Sequence, residues 1–251
     1  MILSDLRTYL DQLLRIDEID DWPNACNGLQ LENAANRVTK VAAAVDANVT
    51  TVSRAVERGV DLLLVHHGLF WGGMQPLRGR WFHMWRAAIE AGLAVYSAHL
   101  PLDVHPEFGN NTLLAKALGL QNPEPFLDLK GTLVGRKARL DITRDELVRR
   151  LEFAVGGRVT VCPGGSKQVG MVGVITGGAG AEARDVAACG VETFVTGEGQ
   201  HWTFGLAEEL GINILYGGHY ATETFGVKAL AAHLARKFGV PWVFLDHPTG
   251  L

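Results

Sequence analysis

The chain has 251 residues, 47% hydrophobic and 20% charged, which fits a soluble globular protein long enough to bury a sizeable core in one large domain or two small ones. A formal net charge of −4 sets nucleic acid aside as the main partner, and three scattered cysteines (Cys26, Cys162, Cys189) with no CxxC pair set aside a disulfide framework and a thiolate zinc site. No apolar run reaches transmembrane length, and the N-terminal MILSDLRTYLDQLL carries charges inside a helical apolar pattern; a cytoplasmic protein with no signal peptide and no membrane partner is expected.

In chain order, residues 4–15 have helical spacing (Leu6, Tyr9, Leu10, Leu13, Leu14) with Ser4 placed as N-cap. Asn27-Gly28 signals a turn. LQLE (29–32) and VAAAVDA (41–47) read as strands, the second followed by a helix through about residue 59. DLLLVHH is a continuous apolar run, the mark of a strand buried on both faces. A helix over 81–91, the strand LAVYSAH and a helix over 110–118 close the first half. The second half repeats this order. A helix over 143–154 opens with Thr143 and Glu146 at capping-box spacing, then come the strands RVTVC and VGMVGVIT and the helical AEARDVAACG, ending at Gly190. ETFVTGE is a strand, 200–210 a helix, INILYGGH a strand, 221–237 a helix and WVFLD a last strand.

The halves also align locally. GVDLLLVHHGLFW (59–71) lies over GVETFVTGEGQHW (190–202), and YSAHLPLD (96–103) over YGGHYATE (216–223). His67 then matches Glu198, His99 matches His219 and Asp103 matches Glu223. The shared Trp, Tyr and His-x-x-x-acid pairs argue for an internal duplication over chance likeness of βα units. The expected fold is α/β: two intertwined units, 1–125 and 126–251, with mostly parallel sheets flanked by helices and a metal site between the halves. Ligands of such sheets bind beyond the carboxyl ends of the strands, where all these residues fall.

His66 and His67 close a buried strand. Adjacent strand residues point to opposite faces, so the two converge only if the chain turns there, and Gly68 permits that. A structural pair bonded to backbone is the bland reading; the partners elsewhere favour metal ligands. Asp103 and Glu223 supply carboxylates, which reduce the repulsion between neighbouring cations. Glu223 alone could be a helix first-turn acid, but His219 sits one turn earlier. His99 reads as a sixth ligand, a proton shuttle or a residue behind the ligands. Glu198, with His201 three residues on, reads as a general base or as a salt-bridged loop residue. GVITGGAGAEA imitates a dinucleotide fingerprint, but the equivalent DANVTT has no glycines, so a tight turn is the better reading.

WPNACNGLQLE, LLLVHHGLFW, YSAHLPLD, TGEGQHW and GHYATE together resemble the motifs of the Nif-three-like dinuclear-metal proteins, the GTP cyclohydrolase I type 2-like, YbgI-type family. The resemblance covers essentially the whole chain in its short form, without the domain that some relatives insert. WPNACNGLQ departs from the family's more acidic or Asn-rich turn. The resemblance implies a duplicated, intertwined α/β fold and a ring-shaped homohexamer. By motif match it implies His66, His67, Asp103, His219 and Glu223 as ligands of two divalent metal ions, with His99 and Glu198 lining the site as catalytic candidates. The all-N/O donor set admits Zn, Fe, Mn, Co or Ni. The expected function is a hydrolase acting on a small molecule, a nucleotide in the GTP cyclohydrolase-like case, through a water activated by the metals. The alternatives are a metal-binding chaperone or cofactor-assembly protein, and a ring-shaped scaffold whose metals stabilise the fold.

Overall fold

The computed structural model describes residues 1–250, and the chain divides into two units. The first comprises Met1–Leu102 and Gly226–His247; the second comprises Asp103–Phe225 and the residues from Pro248. The first break therefore comes earlier than residue 125, and the chain re-enters its first unit near the end.

In the first unit, α1 (Leu3–Leu14) buries Leu3, Leu6, Leu10 and Leu14, one stripe at helical spacing. Its N-cap is Ile2, not Ser4. The open amides are met from a distance instead: Asn36 accepts from Leu3 N through its carbonyl and from Ser4 N through Oδ1, both at 3.0 Å. There follow β1 (Gly28–Leu31), β2 (Val41–Asp46), α2 (Val49–Glu57), β3 (Leu62–His67), α3 (Gly79–Glu90) and β4 (Ala94–Ser97), with α4 (Leu100–Asp103) running into the second unit. Asn48 and Thr51 form a reciprocal capping box at the start of α2. Every residue of β3 is buried, as its continuous apolar run requires. Alternate residues Ala42, Ala44, Leu63, Val65 and Val95 pack in one cluster with Val52 and Ala55 of α2 and Met84 and Ala88 of α3.

The second unit contains α5 (Asn110–Leu118), β5 (Glu124–Leu129), β6 (Thr132–Thr143), α6 (Arg144–Val155), β7 (Thr160–Pro163), β8 (Gln168–Val174), α7 (Ala183–Ala188), β9 (Thr193–Thr196), α8 (Thr203–Leu210), β10 (Asn213–Tyr216) and α9 (His219–Thr222). Thr143 caps α6 by accepting from Glu146 N. Val172, Val174, Val195 and Leu215 of the sheet pack with Leu114 and Leu118 of α5 and Leu147 and Leu151 of α6. The last elements, α10 (Thr224–Phe238) and β11 (Trp242–Phe244), carry the chain back.

The strand orders are β1-β4-β3-β2-β11 and β5-β6-β8-β9-β10-β7. Each sheet contains a βαβαβ run, β2-α2-β3-α3-β4 and β8-α7-β9-α8-β10, whose strands pair in parallel. Each run is flanked on its third strand by an antiparallel neighbour, β1 or β7. This common string is the duplication read from the aligned motifs. The units differ on the opposite flank. There β2 takes β11 in parallel, while β8 takes β6 and β6 takes β5, both antiparallel. Parallel pairing thus dominates the first sheet and is confined to β8-β9-β10 in the second.

Candidate metal centre

The first unit gathers three imidazoles. His66 and His67 end β3, and His99 follows β4, its parallel neighbour, so the ladder brings both chain turns to the same sheet end. Ring centroids lie 4.9 Å apart for His66 and His67, 4.8 Å for His66 and His99, and 5.6 Å for His67 and His99. One ring nitrogen from each falls within 4.8 Å of the others, and all three residues are buried. Trp71 stacks on His67 with centroids 4.5 Å apart and lies 4.4 Å from His99, while Trp22 meets His99 edge-on.

Each ring is held from behind through Nδ1. His66 Nδ1 donates to the Ala98 carbonyl at 2.9 Å, His67 Nδ1 to Asp46 Oδ1 at 2.9 Å, and His99 Nδ1 to the two Asp21 oxygens at 2.9 and 3.0 Å. A carbonyl and an ionised carboxylate only accept, so the proton sits on Nδ1 and Nε2 is the lone-pair nitrogen. Burial pushes the Asp21 carboxyl up, but the His99 imidazole and Asn27 outweigh it and bring the group down to about 2.

The segment after α1 is more than a turn. Asn27 Nδ2 donates to Asp21 Oδ2 at 2.7 Å, and Asn27 Oδ1 accepts from His99 N at 2.7 Å, so one carboxamide fixes both members of the pair. Gln30 accepts from Leu69 N at 2.6 Å and donates to the Ala25 and Cys26 carbonyls. This explains Gly68 differently from the sequence expectation. Its φ is not in the left-handed region; a Cβ there would come within 2.2 Å of the Gln30 carboxamide, so Gly68 is needed for space.

The second unit carries Asp103, Glu198, His219 and Glu223. His219 follows β10 and opens α9, and Glu223 follows directly. His219 Nε2 lies 3.2 Å from Glu223 Oε2, and its Nδ1 donates to Glu198 Oε1 at 2.9 Å. Burial pulls the imidazolium down, but the carboxylates on both nitrogens outweigh it and push the group up to about 9. The two carboxylates thus favour positive charge at this imidazole, and the His219–Glu223 gap is a place a divalent cation can take. Asp103 Oδ1 accepts from Asn110 Nδ2 at 2.8 Å and from Thr176 Oγ1 at 3.4 Å. Thr176 and Gly177, just past β8, thus serve both acids: Gly177, with φ +71°, leaves room where a Cβ would lie 2.1 Å from Glu223 Oε1. Of the glycines in GVITGGAGAEA, Gly177 allows this close approach, while Gly180 makes room for a different neighbour, the Gly199 backbone, which a Cβ would meet at 2.4 Å.

Glu198 and His201 line one cavity of about 390 Å3 with Arg158, Cys162, Phe204 and Tyr216. Sequence reasoning singled out the imidazoles and acids of these two clusters, Glu198 behind His219 among them, but not the other polar groups that orient them. Asp21 and Asn110 left no signal. Asp46 left one, as an acid closing the buried run VAAAVD in ladder register with His67.

The donors are imidazole nitrogens and carboxylate oxygens with polar groups already fixing their orientation, a chemistry that fits divalent Zn, Fe, Mn, Co or Ni without choosing among them. Among the described residues, no helix is long and apolar enough to cross a membrane.

Residues 1–249 match the family described as Duf34/NIF3 (NGG1p interacting factor 3). The chain is 43% identical to the GTP cyclohydrolase 1 type 2 homolog of Deinococcus radiodurans, covering 99% of this chain and 94% of that protein. It is 40% identical to the protein of the same name from Halobacterium salinarum over the whole of both. Among solved structures, TTHA1606 from Thermus thermophilus superposes with a TM-score of 0.87 at 42% identity. The protein ybgI, described as of unknown function, superposes with a TM-score of 0.92 at 31% identity. Both comparisons cover the full length of each chain.

Proposed function

The chain belongs to the Duf34/NIF3 family, and on that premise we propose that it is a metal-dependent hydrolase of small molecules, with GTP the first substrate to offer. The observation that carries this reading is the buried trio His66, His67 and His99. His66 and His67, adjacent in the chain and with His99 beside them, bring ring nitrogens close enough together to serve neighbouring cations. His66, His67, Asp103, His219 and Glu223 are the ligands proposed for two divalent ions. Such ions, when bound, supply Lewis acidity and bring the pKa of a water toward neutrality.

The chain's own residues then divide the remaining work. Trp71 covers His67 and His99 and limits access of bulk water. His99, backed by Asp21, and Glu198, backed against His219, are the groups able to hold or pass a proton at their outward atoms. The cavity bounded by Glu198, His201 and Arg158 has the size of a small-molecule site. The ring-shaped homohexamer belongs to the same proposal; light scattering should return six times the chain mass.

The test is uptake and turnover together. Wild-type protein stripped with chelator should rebind Zn2+ or Mn2+ and hydrolyse GTP or a member of a panel of phosphoesters and cyclic amides. Glu223→Ala should lose bound metal and at least about 100-fold in turnover, as for loss of a metal-held nucleophile. Metal uptake with no turnover in any metal form would reject the hydrolase and leave a metal-handling protein. No uptake at all would reject both.

A further inference from the structure

We infer that Asp46 and Asp21 are positioning residues for the three-imidazole cluster: they lock His67 and His99 in the Nδ1–H form so that Nε2 is the nitrogen each ring presents. This rests on the metal-binding reading above and specifies what tunes it.

Three observations support it. First, the same construction occurs at every ring of the trio, with an acceptor-only oxygen at 2.9 Å behind Nδ1. Packing alone asks only that a buried imidazole find some partner, donor or acceptor, on either nitrogen. Second, each carboxylate is placed by the backbone. Asp46 ends β2 directly opposite His67 in the parallel ladder, so its side chain meets that ring by register. Asp21 is tied down by Asn27 Nδ2, by Leu100 N at 2.9 Å and by its neighbour Trp22 N at 2.7 Å. Third, His66 shows the same result reached without a side chain. Its acceptor is the Ala98 carbonyl, one residue before His99, so the turn that delivers the third ring also orients the first.

The physical consequence is a choice of tautomer. A neutral imidazole carries one proton, and a ring with that proton on Nε2 cannot offer Nε2 as a ligand or as a base. An acceptor behind Nδ1 removes that competing form, and a negative one also raises the basicity of Nε2. Replacing the carboxylate by a carboxamide keeps the volume but adds an N–H that can point at Nδ1 and stabilise the wrong tautomer.

The experiment uses the full chain, metal-free and then titrated with Zn2+ against a chromophoric chelator. Long-range 1H–15N correlation spectra of the metal-free protein should show His66, His67 and His99 with hydrogen on Nδ1. Asp46→Asn should bring His67 into the Nε2–H form and weaken Zn2+ binding by about tenfold to a hundredfold, while His66 is unchanged. Asp21→Asn should change the tautomer of His99 alone. Asp46→Ala, which cannot donate to Nδ1, should weaken Zn2+ binding without enforcing the Nε2–H form; it separates loss of orientation from tautomer reversal. Unchanged affinity in both Asp46 variants, or persistence of the Nδ1–H form in Asp46→Asn and Asp21→Asn, overturns the proposal. A wild-type chain that takes up no Zn2+ overturns the metal reading itself, and the tautomer spectra still decide the positioning claim.

Discussion

Gly177 shows how closely single residues are fitted around Glu223. Its φ of +71° disfavours any side chain, and a Cβ would overlap the Glu223 carboxylate at 2.1 Å. Gly177→Ala should therefore cost roughly 1–3 kcal/mol in unfolding free energy, the range for a strained backbone position. It should also reduce metal uptake, because Glu223 is the group that must move. Urea unfolding and a metal titration of the same variant check both. Gly59 makes the matching control: its φ is also positive, at +57°, but nothing lies within 4 Å of a Cβ there, so Gly59→Ala should lose stability and keep its metal. His219 gives a pH signature on the metal-free protein. Its pKa rises from 6.5 to about 9 on folding, so the native state holds the proton more tightly than the unfolded chain. The stabilisation is complete below about pH 6.5 and drains away as pH rises through about 9. Unfolding midpoints measured across that window should fall for wild type and fall less for His219→Gln. An equal fall in both would show that His219 is not the group responsible.

At the scale of elements, legibility followed burial. β2, β3 and β4 are sealed on both faces, so their apolar runs announced them, and the histidines at their ends stood out as polar residues closing apolar strands. β5 and β6 were not foreseen. β6 buries the adjacent Val134 and Gly135 and alternates half-buried and exposed positions only from Ala138 on, and Arg136, Lys137 and Arg139 in the middle of TLVGRKARLDIT broke the period of two. The hairpin signal was present in Lys130-Gly131, both with positive φ as a tight strand connection requires. The Ser4 cap failed for another reason: a sequence reading looks for caps locally, and α1 is capped by Asn36, thirty-two residues from Ser4. The carboxylates behind the imidazoles were hidden in the same way. Asp21 is seventy-eight residues from His99, and no spacing rule links them. What the motifs could reveal was the set of rings and acids; what they could not was the set of oxygens that aims them.

For the whole molecule, the recurring string of elements leaves β5, β6 and β11 outside it, and β11 alone serves the first sheet. The first βαβαβ run is completed by β11, which comes from the far end of the chain and lies parallel to β2. Val41 N donates to the Pro241 carbonyl, and Leu245 N to the Ala43 carbonyl at 2.8 Å. Arg54 of α2 reaches the Asp246 carbonyl, and Leu245, only 3% exposed, enters the same cluster as Ala42, Ala44 and Val65. Without this strand, the edge of the first sheet would be VAAAV, an apolar sequence with a row of open amides and carbonyls, which is a template for association. A chain ending at Gly239 should consequently aggregate under native conditions, as read by light scattering. The graded version is Leu245→Ala, which keeps the strand and removes a buried side chain. Its expected cost is about 2–5 kcal/mol, seen as a lower urea midpoint. The tail holds the sheet edge that carries Asp46, because β2 lies between β11 and β3. Leu245→Ala should then also loosen the Asp46–His67 pair, and the His67 tautomer is the place to see it. A variant with full stability and a truncated chain that stays monodisperse would mean that β11 is only a cover, and that β2 holds its register through β3 alone.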